Sequence, residues 1–118
     1  MKRDPLADSP WSRPETVAGF AASPPNATLM QVAARELARL GGHGRVVDIG
    51  CGAGRNAVPL ASAGWHVLGL DLSLPMIKAA AARAQHAEIP RTIRFALAPM
   101  DGLPVRDRSC DLVIAHGI

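Results

Sequence analysis

Apolar residues recur at helical spacing through Leu29, Val32, Ala33, Leu37 and Leu40, with Asn26 or Thr28 available as an N-cap and Gly41-Gly42 ending the run. This pattern predicts one amphipathic helix. After Arg45 the period changes. Val46-Val47-Asp48-Ile49 reads as a short apolar strand running straight into Gly50-Cys51-Gly52-Ala53-Gly54, followed by helix formers to Ala63 and a stop at Gly64. Pro59 lacks an N–H and is comfortable only in the first turn of a helix, which puts the onset of this one near Asn56. Residues 65–70 form the next strand, closing at Asp71. Ser73 caps a third helix, with Pro75 in its first turn and an alanine-rich body running to Ala87. Residues 93–98 and 111–115 are the third and fourth strands, joined by a turn-rich link containing Gly102 and Pro104.

Short apolar strands alternating with helices at this spacing predict an α/β fold with a parallel sheet. Right-handed crossovers wind it on both sides in the Rossmann-like, doubly wound manner, so a ligand is expected at the carboxyl ends of the strands. Residues 1–25 read differently. Pro5, Pro10, Pro14, Pro24 and Pro25 among polar residues predict an arm without regular helix or strand, which Trp11 and Phe20 could pin to the domain at 26–118.

Composition narrows the classes. A chain of 118 residues, 48% hydrophobic and 19% charged, holds one domain with a moderate core and no second one. The net charge of +3 is spread among dispersed arginines, and 3% aromatic residues leave few stacking platforms, so neither a nucleic acid nor a membrane is the expected partner. No 18-residue apolar run or secretory leader stands out, and Cys51 and Cys110 lie in unlike settings, which suits a cytoplasmic protein. His43, His66 and His86 lack metal-ligand spacing, and no metal is expected.

The glycine turn carries the candidate chemistry. Glycines at alternate positions allow positive φ and close approach of a ligand to backbone, and the following helix would turn free N–H groups toward it. The dinucleotide fingerprint G-x-G-x-x-G is not met, because the third glycine, Gly54, comes one residue early. Asp48, two residues before Gly50, opposes a pyrophosphate and suits a ligand carrying positive charge, such as an α-ammonium group; it could also satisfy loop N–H groups, and the two roles can coexist. Asp71, 17 residues after Gly54, stands where a doubly wound fold places its ribose ligand, although a strand-end Asp can also serve helix entry. Cys51 fills a place that needs only a small residue, and a nucleophilic role is disfavoured.

Taken in order, these residues resemble class I S-adenosylmethionine-dependent methyltransferases. The first motif of that family looks like VVDIGCGAG at 46–54, the second like GLDLS at 69–73, the third like APMD at 98–101 and the fourth like CDLVIAHGI at 110–118. The resemblance covers about residues 26–118. It implies S-adenosylmethionine as cofactor, with Gly50, Cys51 and Gly52 lining its methionine part and ribose through backbone, and Gly54 completing the turn. By the same resemblance Asp71 accepts from the ribose hydroxyls beside Leu72, Met100 meets the adenine ring, Asp101 accepts from the adenine amino group, and the Ala115 carbonyl faces the amino-acid end. Asp101-Gly102 is also an ordinary turn. His116, just past the fourth strand, is a weak candidate for a general base.

The fourth motif lacks the (D/N)PP(Y/F) of nucleic-acid aminomethylating members and the Pro-Cys of cytosine-C5 enzymes, whereas Gly54-Arg55-Asn56 looks like small-molecule members. The expected activity is methyl transfer to a small acceptor. The alternatives are a noncatalytic or partner-dependent cofactor-binding remnant and, further off, a nicotinamide oxidoreductase. The family usually continues with two more helices and three more strands, so the domain is expected to be truncated after the fourth strand. Its three helices would then cover one face of the sheet. The open face and the unpaired edge at Val113 and Ile114 are expected to cause aggregation, dimerisation or dependence on a missing segment.

Overall fold

The computed structural model describes residues 9–89, 91–98 and 110–115. A 3-10 turn at Pro10–Ser12 leads into α1 (Pro14–Ala21) and α2 (Ala27–Arg39), followed by β1 (Arg45–Ile49), α3 (Ala57–Ser62), β2 (His66–Asp71), α4 (Leu74–His86), β3 (Ile93–Leu97) and β4 (Leu112–Ile114). The four strands form one sheet in the order β3-β2-β1-β4, with every pair parallel. The α/β, Rossmann-like architecture read from the sequence is therefore present, and the strand ends at Ile49, Asp71, Leu97 and Ile114 all lie on one edge of the sheet.

One sequence expectation is overturned. Residues 1–25 were expected to hold no regular helix, yet α1 occupies Pro14–Ala21 and the 3-10 turn precedes it. Prolines do not prevent this, because Pro14 stands at the first helical position, where its missing N–H would have had no partner and its fixed φ suits the helix. The segment is docked on the domain, in keeping with the pinning that the sequence allowed. α1 packs on α4, where Arg83 Nη1 donates to the carbonyls of Ala21 (3.3 Å) and Ser23 (2.9 Å).

The other elements follow their local chemistry. Of the two cap candidates for α2, Asn26 is the one used, its side chain accepting from Leu29 N at 2.9 Å. Ala33 and Leu37, one turn apart, bury the inner face of that helix. Ser73 caps α4, and Met76, Ala80 and Ala84 recur at four-residue intervals along its buried stripe. Pro59 falls in the first turn of α3.

Alternation along the strands sorts side chains to two faces. Val46 and Val67 join Ala33, Leu37, Ala57, Leu60, Ala61, Trp65 and Ile114 in the main core, which lies under all three long-range helices α2, α3 and α4. Val47, Leu70 and Ala98 form a smaller cluster on the opposite face with the half-buried Ile49, Leu68, Ala96 and Cys110. Among the described residues no helix covers that second face, as the family resemblance implied.

Candidate functional site

Asp48 follows Val46 on the helix-covered side of β1, displaced toward the carboxyl end of the strand. It pairs in register with Gly69 of β2 and Ile114 of β4. Gly69 is required there. A Cβ at that position would stand 2.7 Å from Phe95 and 3.0 Å from Cys51 Sγ, so its absence lets both side chains close over the sheet beside Asp48. The result is a carboxylate with 2% exposure whose Oδ2 has no hydrogen-bond partner among the described residues. Burial, and then the neighbouring charge of Asp71, raise its pKa from 3.8 to about 7.

The chain leaves β1 through a turn that glycine makes feasible. Gly50, Gly52 and Gly54 all have positive φ, at 70°, 56° and 82°, as their alternation in the sequence predicted. Gly50 N and Cys51 N both donate to the Leu70 carbonyl, at 2.7 and 2.9 Å, which fastens the turn to the end of β2. Gly52 N donates to Asp71 Oδ2 at 2.8 Å, and Ser73 N donates to Asp71 Oδ1 at 2.9 Å. The carboxylate of Asp71 is thus held from both sides. A carboxylate offers about four acceptor directions, so two remain for hydroxyl groups of a ligand. The bond from Ser73 N at the entry to α4 is the helix-entry role the sequence offered for Asp71, whereas bracing of loop N–H groups was expected of Asp48.

The glycines differ in what surrounds them. A Cβ on Gly52 would find nothing nearer than Met76 Sδ at 4.0 Å, so this position faces open space. A Cβ on Gly54 would come within 3.0 Å of Val58 Cγ2 and 3.2 Å of Ala80 Cβ, which makes Gly54 the point where α3 and α4 approach. α3 itself is six residues long, too short to supply much of a macrodipole. Asp48 and Asp71 supply the charge at this end of the sheet.

Cys51 is buried, its Sγ 3.5 Å from the Gly52 carbonyl, and burial beside Asp48 and Asp71 pushes its thiol well above the usual range. It is a neutral packing residue, as expected. Leu72 is half-buried next to Asp71, and Ala115 is exposed one residue beyond the partner of Asp48. The structure thus brings Asp48, the 50–54 turn, Asp71, Leu72 and Ala115 to one edge of the sheet. Met100, Asp101 and His116 lie outside the described residues. Cys110 is half-buried in the smaller cluster, while His43, His66 and His86 are exposed, and no group of metal-binding side chains occurs among the described residues.

Two residues of this region entered the sequence reading only through the Gly54-Arg55-Asn56 run and the helix onset, with no site role of their own. Arg55 Nε is buried without a partner among the described residues, so the end of the glycine turn carries a donor as well as the acceptor of Asp48. Asn56 is buried and, instead of capping α3, takes the amide of Asn26 on its Oδ1 at 2.8 Å, joining the turn to the start of α2. The Gly54-Arg55-Asn56 run was visible, but nothing in it revealed partners 30 residues away.

The comparisons with known proteins agree with this geometry. A family model described as a methyltransferase domain matches residues 46–118. A protein of Geobacillus sp. strain WCH70, provisionally named a methyltransferase, is 45% identical over 51 residues, covering 43% of this chain and 20% of its own. The ubiquinone biosynthesis O-methyltransferase of Psychrobacter cryohalolentis is 34% identical over 59 residues, covering 50% of this chain and 23% of its own. The chain spans about a fifth of the length of these curated relatives. Magnesium protoporphyrin IX methyltransferase from Synechocystis PCC 6803, solved with bound S-adenosylmethionine, superposes with a TM-score of 0.62 at 32% identity over 75% of this chain and 42% of that one. With a family match over most of its length and the same parallel sheet, the chain belongs to the methyltransferase-domain family, the class I S-adenosylmethionine-dependent methyltransferases.

Proposed function

We propose that this chain is the cofactor-binding half of a methyltransferase that transfers a methyl group from S-adenosylmethionine to a small-molecule acceptor in the cytoplasm. The observation that carries the reading is the buried Oδ2 of Asp48 at the glycine turn, without a partner among the described residues and next to the braced carboxylate of Asp71. An ammonium group is the natural partner for such an oxygen, whereas a pyrophosphate would be repelled, which also sets aside a nicotinamide cofactor.

The residues fit the cofactor in parts. Asp48 would receive the ammonium and Arg55 Nε would donate to the carboxylate of its amino-acid end. The open side of Gly52 would let its chain pass close to backbone, and the free acceptor directions of Asp71 would take the two ribose hydroxyls. Met100, Asp101 and the Ala115 carbonyl keep the roles that the family resemblance implies. When bound, S-adenosylmethionine supplies an electrophilic methyl group. The contribution of this chain would be to orient that group in a site from which Asp48, Cys51 and their neighbours already exclude water. The Synechocystis relative is named for a small-molecule acceptor and the Psychrobacter relative for ubiquinone biosynthesis, which favours a small-molecule acceptor here.

Titration calorimetry tests the reading. The demethylated product S-adenosylhomocysteine should bind more tightly than NAD, and the reverse order would overturn the assignment. Asp71→Ala should weaken product binding by at least about tenfold, since each charge-assisted hydrogen bond contributes on the order of 1.5–3 kcal/mol. Unchanged affinity would leave Asp71 as a loop brace alone.

A further inference from the structure

Residues 9–26 precede the stretch matched by the family model, yet hydrogen bonds tie them to both sides of the candidate site. Asn26 N reaches Asn56 Oδ1 after the glycine turn, and Arg83 of α4 holds the carbonyls of Ala21 and Ser23. The third tie is the informative one. Ser12, ending the 3-10 turn, places its Oγ 3.0 Å from Ser73 Oγ. Ser73 is fully buried, at 0% exposure, and sits two residues after Asp71. Its hydroxyl receives Met76 N at a long 3.4 Å, so Ser12 is its nearer partner, while its amide makes the 2.9 Å bond that holds Asp71 Oδ1.

Ser73 Oγ and Ser73 N belong to one residue in the turn between β2 and α4, so a tie on the hydroxyl opposes displacement of that residue and, with it, of the N–H that donates to Asp71. With Gly52 N on the other oxygen, the carboxylate plane is set before any ligand arrives. We infer that Ser12 is a positioning residue for the ribose-binding carboxylate, acting through Ser73 on Asp71, so that the segment before the family domain is a working part of the cofactor site. This rests on the cofactor reading above.

The test compares Ser12→Ala and Ser12→Thr with the unaltered chain by calorimetry, against S-adenosylhomocysteine and its analogue lacking both ribose hydroxyls. Ser12→Ala should weaken S-adenosylhomocysteine about two- to tenfold, the range one hydrogen bond spans. It should leave the dideoxy analogue unchanged, and Ser12→Thr should restore the loss. Equal loss for both ligands, or no loss for either, overturns the proposal, because a hydroxyl that only holds the fold cannot tell the two ligands apart. Should Ser12→Ala fail to fold by circular dichroism, Arg83→Gln, which frees the other end of the same segment, should give the same ligand-selective loss; an unselective one overturns the proposal. An unaltered chain that binds neither ligand overturns the cofactor reading itself, a result distinct from those above.

Discussion

Asp48 is a carboxylate placed where water cannot reach it and no described neighbour donates to its Oδ2. Its pKa of about 7 when folded, against 3.8 when unfolded, has a definite sign. Between about pH 4 and 7 the folded chain holds a proton that the unfolded chain has released, so stability is greatest at the acidic end of that window and falls as the pH rises through it, by on the order of a few kcal/mol. Thermal melts at pH 5 and pH 8 should show this fall, and Asp48→Asn should flatten it. A cationic ligand reverses the preference, since it needs the charged carboxylate. The affinity for S-adenosylhomocysteine should therefore climb between pH 5 and 7, approaching tenfold per unit, and Asp48→Asn should remove the slope. Gly52 separates binding from folding. Because its missing Cβ faces open space, Gly52→Val should suffer the strain of positive φ, on the order of 1–2 kcal/mol, yet lose product binding far more completely, as calorimetry beside a melt would show. Asp48, Asp71 and the three glycines were legible in the sequence because their chemistry depends on near neighbours and on spacing. Ser12 and Asn56 were not, because each acquires its meaning from a partner 61 or 30 residues away.

Among the elements, the strands and the three helices beyond Asn26 were legible because apolar periodicity and end signals agreed, and boundaries moved by only a residue or two. α1 was not. Proline breaks a helix from its interior, whereas Pro14 stands at the start of α1, where proline is tolerated, and Pro24 and Pro25 lie beyond its end. What holds α1 in place is its docking on α4, and a hydrogen bond from Arg83 to carbonyls 62 and 60 residues earlier leaves no trace in local pattern. The junction of α3 with α4 provides a check at this scale. Gly54→Ala would press a Cβ against Val58 and Ala80 at positive φ, so it should lower stability by about 1–3 kcal/mol in denaturant unfolding, with the loss of binding following the loss of fold. That outcome would contrast directly with Gly52→Val.

Across the whole molecule, helices cover one face of the sheet, while the other carries Val47, Ile49, Leu68, Leu70, Ala96 and Ala98 with no helix over them among the described residues. Among the described residues β4 pairs with β1 alone, and Val113 on it is 55% exposed beside a groove of about 460 Å³ between α2 and β4. An unpaired parallel strand next to apolar surface favours pairing with another chain. Sedimentation of the 118-residue chain should accordingly show dimers or larger species, with little methyl transfer in the same sample, and Val113→Lys should move the distribution toward monomer. A cooperative, active monomer would contradict this view of the sheet. The central place of β1 has one more consequence, for the chain as it leaves the ribosome. The strand that carries Asp48 is made first but stands in the middle, and the bonds from Arg45 to Asp111 close a separation of 66 residues. One side of β1 therefore stays unzipped until residues 111–114 have been synthesised. Folding is then governed by that late, long-range closure, and an interruption of synthesis anywhere before Asp111 would release a polypeptide with its central strand half paired.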